Sequence, residues 1–275
     1  MATTDARLDS WQQFIFEDSS FSFPVYKQCP DNFENPPAIL VMHEVPGIYP
    51  AVIDFAERLL QEGYCVYMPS LLGEPGKRLS LPYVASSIAQ ACIRREFRIL
   101  ALKQASPITD ALRALCRRMH AECGGVGVGA IGMCLTGNFA LSLMVDESVM
   151  APVLSQPSLP FGVTKQHKRD LHVSDAQLQC IKARVAQGSV KVLGMRFSHD
   201  FMSPPERFER LREELGDGFE GIEIDSGPGN PGRIPRIAHS VVTKDLVDTN
   251  GHPTHAALQR LLAFFAERLR PKVQK

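Results

Sequence analysis

The chain has 275 residues, enough for one large domain or two small ones, and 44% of them are hydrophobic, which supports a substantial core. Its 30 lysines and arginines balance its 30 aspartates and glutamates, excluding a general electrostatic pull towards nucleic acid or an anionic membrane surface. The opening residues MATTDARLDSWQQF lack a basic segment followed by an apolar run, and no later stretch approaches the roughly 18–20 apolar residues that span a bilayer.

A soluble cytoplasmic protein is therefore expected. The 7 cysteines show no CxxC pairing and are odd in number, which fits reduced thiols. There is no His/Cys cluster with zinc-ligand spacing and no glycine-rich nucleotide loop, so no metal and no cofactor is expected. The expected partner is a small-molecule substrate.

In chain order, FIFED and FSFPVYKQ read as edge strands in a segment over 1–36. From 37 to 275 the pattern is one α/β domain, and the two parts together make one domain overall. PAILVMHEVPGIYP is an apolar strand ending in a Pro/Gly loop, and AVIDFAERLLQEG follows with helical periodicity and a terminal glycine. YCVYMPSLLG is a strand and ITDALRALCRRMHAE an amphipathic helix; GVGVGAIGMC is a buried strand and LTGNFALSLMV its helix. VMAPVLSQ is a strand, followed by the helix SDAQLQCIKARVAQG with Ser174 as its N-cap. SVKVLGMRFSHD, PPERFERLREELG, FEGIEID and PTHAALQRLLAFFAERLR complete the alternation as strand, helix, strand, helix. The fold class this implies is α/β: a mostly parallel central sheet with helices on both faces.

Active sites in such sheets lie beyond the carboxyl ends of the strands. His43 and Glu44 follow the first parallel strand, Cys134 the central one, Asp200 the strand VKVLGMRF, and His239 stands in the loop after FEGIEID. Nucleophile, acid and histidine thus appear in the chain order of the α/β-hydrolase triad. A free thiol is mostly protonated at neutral pH and needs a base or a positive dipole to become the reactive thiolate. His239 would take that proton, Asp200 would orient the imidazole, and the start of a helix would favour the anion of Cys134. The backbone N–H groups of Leu135 and Val45 are placed to form an oxyanion hole.

HEVPG, GMCLTG, SHDFMSP and AHS, in this order and on these elements, resemble the dienelactone hydrolase family of α/β-hydrolases, over roughly Pro37 to Leu269. The resemblance implies an ester or lactone hydrolase with Cys134 as nucleophile, Asp200 as triad acid and His239 as base. It also implies that Glu44, in HEVPG, contacts the resting cysteine and takes part in its activation. The family's elbow reads G-x-C-x-G, whereas here the second position after the cysteine is Thr136 and glycine is delayed to Gly137. A β-branched residue in a tight turn is expected to be strained and to alter the packing beneath it. The family's founding lactone substrate has a carboxylate held by arginines; Arg94 and Arg95 fall in the expected region, and Ser240-Val241 follow the histidine.

Plainer roles compete with these assignments. A cysteine at a corner is also a small buried hydrophobe, a role expected of Cys65, Cys92, Cys116, Cys123 and Cys180. Asp200 is also positioned to cap the helix near Pro204, and Glu44 to pair with a surface cation. His43 reads as a buried, hydrogen-bonded histidine; His252 and His255 read as helix-start residues, and His199 as pointing elsewhere. The charged run PERFERLREELGD reads as a solvated helix face. The segment over 158–180 is long for a connection and is a candidate lid. Two other functions use the same residues: a small-molecule-binding module without turnover, and a redox sensor at Cys134.

Overall fold

A computed structural model of the chain describes residues 4–18, 21–93, 107–162 and 164–270. Among these residues eight strands form one sheet: β1 Gln12–Asp18, β2 Phe21–Gln28, β3 Ala38–Met42, β4 Cys65–Pro69, β5 Val128–Met133, β6 Val149–Ser155, β7 Val192–Phe197 and β8 Phe219–Ile224. The spatial order is β1-β2-β4-β3-β5-β6-β7-β8. β1 and β2 pair antiparallel at one edge, β2 meets β4 antiparallel, and every later pairing is parallel. All residues of β3, β4 and β5 are buried, as continuous apolar runs covered on both faces require. β1 alternates and leaves half its side chains towards solvent.

Among the described residues eight helices join the strands: α1 Pro50–Gln61, α2 Leu81–Ile93, α3 Pro107–Cys123, α4 Phe139–Leu143, α5 Lys165–Arg169, α6 Asp175–Ala186, α7 Pro205–Leu215 and α8 Pro253–Leu269. The sheet divides the core in two. α1 and α8 bury Val52, Phe55, Leu258 and Phe265 against one face. α3, α4, α6 and α7 bury Leu112, Phe139, Ile181 and Phe208 against the other. Ser174 caps α6, its hydroxyl accepting from the Gln177 N–H. Among the described residues no helix is long and apolar enough to cross a membrane.

β3 lies between β4 and β5, so the chain steps from β3 out to β4 on one side and then crosses back to β5 and on to β8 on the other. Such a reversal opens a crevice at the strands' carboxyl ends, and both His43-Glu44-Val45 and Cys134 emerge there.

Four expectations need correction. Helix α2 has no counterpart in the sequence reading, because LPYVASSIAQACI holds no charged residue to mark a polar face. The helix expected after β5 is broken into a 3-10 turn, Cys134–Thr136, and the five residues of α4. Cys29 and Cys65 are not reduced thiols but a disulfide, 36 residues apart in sequence. Antiparallel register explains it: Gln28 faces Val66, so the next step sets Cys29 opposite Cys65. The Cys123 sulfur completes a group of three within 4.8 Å of one another at that amino-terminal end of β4. Finally, PERFERLREELGD is not wholly solvated, since Arg207 on α7 is completely buried.

Candidate active site

The corner after β5 is where the backbone departs from ordinary geometry. Cys134 has φ +55°, a left-handed conformation that a non-glycine residue adopts only where its surroundings hold it. Glycine is required on both sides. A Cβ at Gly132 would stand 2.0 Å from the Thr136 carbonyl oxygen, and one at Gly137 would stand 2.5 Å from the Pro157 Cα.

Thr136 is not the strained member; the positive φ belongs to Cys134. Its position explains why threonine serves where glycine was expected. The Thr136 Oγ1 accepts from the Met133 N–H at 2.9 Å and lies 2.9 Å from the Met42 carbonyl oxygen and 3.2 Å from that of His43. One hydroxyl thus latches the elbow to the carboxyl end of β3. Leu135 and Val45 stand on the two latched segments and line the same cavity. The Leu135 N–H lies in the first turn of a 3-10 helix, where donors have no partner within the helix.

His239 reaches this corner from the loop between β8 and α8. Its Nδ1 is 2.6 Å from the Asp200 Oδ2, and the Asp200 Oδ1 accepts from the Met202 N–H at 3.0 Å. Asp200 therefore fastens its own loop and the imidazole, while α7 begins without it, at an N-cap of Pro204. The Asp245 carboxylate accepts from the His239 and Ser240 N–H groups at 2.8 and 2.9 Å and fixes the histidine's backbone. The other ring nitrogen, Nε2, is buried, and the Cys134 thiol is its neighbour. Burial alone would lower the His239 pKa, but the negative charge of the neighbouring Cys134 and the Asp200 hydrogen bond outweigh it and push it up to about 11.

Glu44 is buried, and no cation meets it among the described residues. Tyr49 and Thr243 donate to Oε1, Gln156 donates to Oε2 at 3.1 Å and Ser240 donates to Oε2 at 2.8 Å. Four donors on two oxygens suit the ionised, acceptor-only form. Burial, and then the charge of Glu44, hold the Tyr49 phenol well above its usual range, so it remains a donor. The competing role of a surface ion pair has no partner among the described residues, and the contact with the resting cysteine that the resemblance implies is not a direct hydrogen bond between Glu44 and Cys134. Tyr49, Gln156, Thr243 and Asp245 escaped the sequence reading because each is a lone polar residue in a stretch without periodicity. Only Ser240, next to the histidine, carried a positional signal.

The remaining histidines take structural places. His43 is buried, with Nδ1 2.9 Å from the Glu44 carbonyl oxygen and Nε2 accepting from the Leu71 N–H at 3.0 Å; burial lowers its pKa to about 4. His252 caps α8, His255 pairs with Asp248 at 2.8 Å, and His199 packs beside Ser198. Arg94 and Arg95 lie outside the described residues, as does the side chain of Cys92.

The candidate lid is a fastened wall. The Arg207 guanidinium donates to the carbonyl oxygens of Pro157 at 2.5 Å, Pro160 at 2.7 Å, Asp170 at 2.9 Å and His167 at 3.1 Å. Leu159 and Phe161, held in this way, line a cavity of about 670 Å³ whose floor is Cys134, Leu135 and His239.

Comparisons with known proteins agree with this architecture. The model of the dienelactone hydrolase family matches residues 23–230, which takes in Glu44, Cys134 and Asp200 and stops short of His239. No curated protein sequence matches the chain. Among solved structures, a dienelactone hydrolase from Anabaena variabilis superposes with a TM-score of 0.59 at 15% identity, covering 94% of this chain and 99% of that one. A dienelactone-hydrolase-like promiscuous phosphotriesterase from metagenomic libraries gives 0.62 at 16% identity, covering 95% and 99%. The acylaminoacyl peptidase of Pyrococcus horikoshii gives 0.54 at 14% identity, covering 97% of this chain and 42% of that one. At such identities the structures speak for the fold, which is that of the α/β-hydrolases; the family match over most of the chain goes further, and the chain belongs to the dienelactone hydrolase family.

Proposed function

We propose that this chain hydrolyses a carboxylic ester or lactone through a thioester formed on Cys134. The observation that carries the proposal is the placement of His239: one nitrogen is held by Asp200 at 2.6 Å, and the other is buried beside Cys134. Catalytic hydrogen bonds are often long before substrate binds.

The thiolate of Cys134 attacks the substrate carbonyl carbon, forming the C–S bond, and the carbonyl electron pair moves onto oxygen. The N–H groups of Leu135 and Val45 receive that oxyanion. The C–O bond to the leaving group then breaks, and the His239 imidazolium gives the departing oxygen its proton. Water, deprotonated by the now neutral His239, adds to the thioester and releases the acid, leaving thiolate and imidazolium as at the start. Glu44 takes part in activating the cysteine, with Tyr49, Gln156, Ser240 and Thr243 setting its position. A thiolate is a good leaving group, so the first step runs forward best when the alcohol departs easily, as an enol or phenol does.

A burst-phase assay with a chromogenic phenyl ester, read together with the intact mass of the protein, tests this. The expected result is an acyl adduct on Cys134 and, in Cys134→Ala, loss of turnover by about 10⁴-fold or more. Equal turnover by the two proteins, with no adduct on either, would remove the nucleophile assignment.

A further inference from the structure

The chemistry of the cavity walls differs from that of its floor. Leu79, Leu81, Leu159, Phe161, Met202 and Ile237 form the sides above Cys134. At the mouth, Leu81 is 87% exposed and Ile237 85%, on segments that approach from α2 and from the His239 loop. Large aliphatic side chains left this open next to a concave site mark a surface that a ligand covers. Among the described residues the polar lining is confined to a few groups, chiefly Glu44, His239, Ser240 and Lys244, and includes no arginine. Among the described residues no guanidinium lines the cavity to receive a carboxylate on the acyl portion of the substrate.

We infer that the site takes esters whose acyl portion is an uncharged aliphatic chain or ring long enough to reach from Cys134 to the Leu81–Ile237 rim. This rests on the hydrolase reading above and names its substrate class. A volume of about 670 Å³ suits such a group, since cavities of roughly 300–1,000 Å³ enclose drug-sized ligands. Leu159 and Phe161 flank the Pro160 carbonyl that Arg207 holds, which gives the chain a fastened surface to lie on.

The test is kcat/KM for 4-nitrophenyl acetate, butanoate, hexanoate and octanoate, all below their aggregation limits, with an unsaturated lactone bearing a carboxylate as the competing substrate. Each added methylene is expected to raise kcat/KM about two- to fourfold until the chain meets the rim. The octanoate-to-acetate ratio is expected to fall about tenfold in Ile237→Asp and in Leu81→Asp, two solvent-facing changes that the fold accommodates. A flat series overturns the inference. So does preference for the carboxylate-bearing lactone, and loss of that preference in Lys244→Met would assign the cavity to anionic acyl groups. A rising series that survives intact in Cys134→Ala leaves the apolar acyl assignment standing and removes the nucleophile instead.

Discussion

Cys134 and Cys123 lie beyond opposite ends of β5 and are almost equally buried, at 8% and 9% exposure. Burial therefore does not separate them. Cys123 ends α3, where the helix dipole is negative and disfavours a thiolate. Its sulfur lies 3.9 Å from the Tyr67 hydroxyl, and desolvation pushes its pKa up. Cys134 stands at φ +55°, faces a cavity, and has across from it a histidine that favours the protonated state. Two thiols of equal exposure thus differ through backbone conformation and charged neighbours.

The strongest way to break this contrast is through the histidine's support. Asp200→Asn is expected to lower kcat by about 10²–10⁴-fold, because the imidazole loses both its orientation and its countercharge. A drop of less than about threefold in steady-state turnover would show that His239 is held by something else. Thiol labelling comes next. Iodoacetamide at neutral pH, followed by peptide mass spectrometry, should modify Cys134 at least about 100-fold faster than Cys123 or Cys116, and comparable rates would erase the distinction.

Much of the corner was legible before any coordinates, and the reason is local. GMCLTG announces a strand that runs into a turn demanding glycine, and the order cysteine, aspartate, histidine follows from the alternation of strands and helices. The polar setting of Glu44 was not legible, because Tyr49, Gln156 and Thr243 come from three separate connections that only the folded chain brings together. Arg207 misled for a related reason. Its neighbours on α7 do form surface pairs, such as Arg210 with Glu214 at 3.6 Å, while a single turn of the helix points it inward to a cluster of carbonyl oxygens.

A smaller effect sharpens the comparison at the elbow. Thr136→Val keeps the shape of the side chain and leaves the buried Met133 N–H without its acceptor, at an expected cost of about 1–3 kcal/mol in stability, measurable by urea denaturation. Turnover should fall as well, because Leu135 and Val45 lose their shared latch. An unchanged urea midpoint would mean that the hydroxyl is dispensable.

The smallest expected effect is in pH dependence. His239 has a folded pKa raised from 6.5 to about 11, so its contribution to stability is complete below pH 6.5 and declines as pH rises towards 11. The melting-temperature advantage of the wild type over His239→Gln should accordingly be greatest near pH 6 and shrink steadily towards pH 11. An advantage that grows with pH would mean that the imidazole is neutral in the folded protein.

The disulfide at the far end of the sheet has a topological consequence. Cys29 and Cys65 close a covalent ring around β3, α1 and the loop between them, the stretch that supplies Glu44, Val45 and Tyr49. The exposed residues 31–35 lie within that ring and offer a protease its most accessible site there. A single cut among them would leave one connected molecule until the disulfide is reduced, with both new ends tethered beside β4. Fragments would therefore separate on a reducing gel and run as one species on a non-reducing gel.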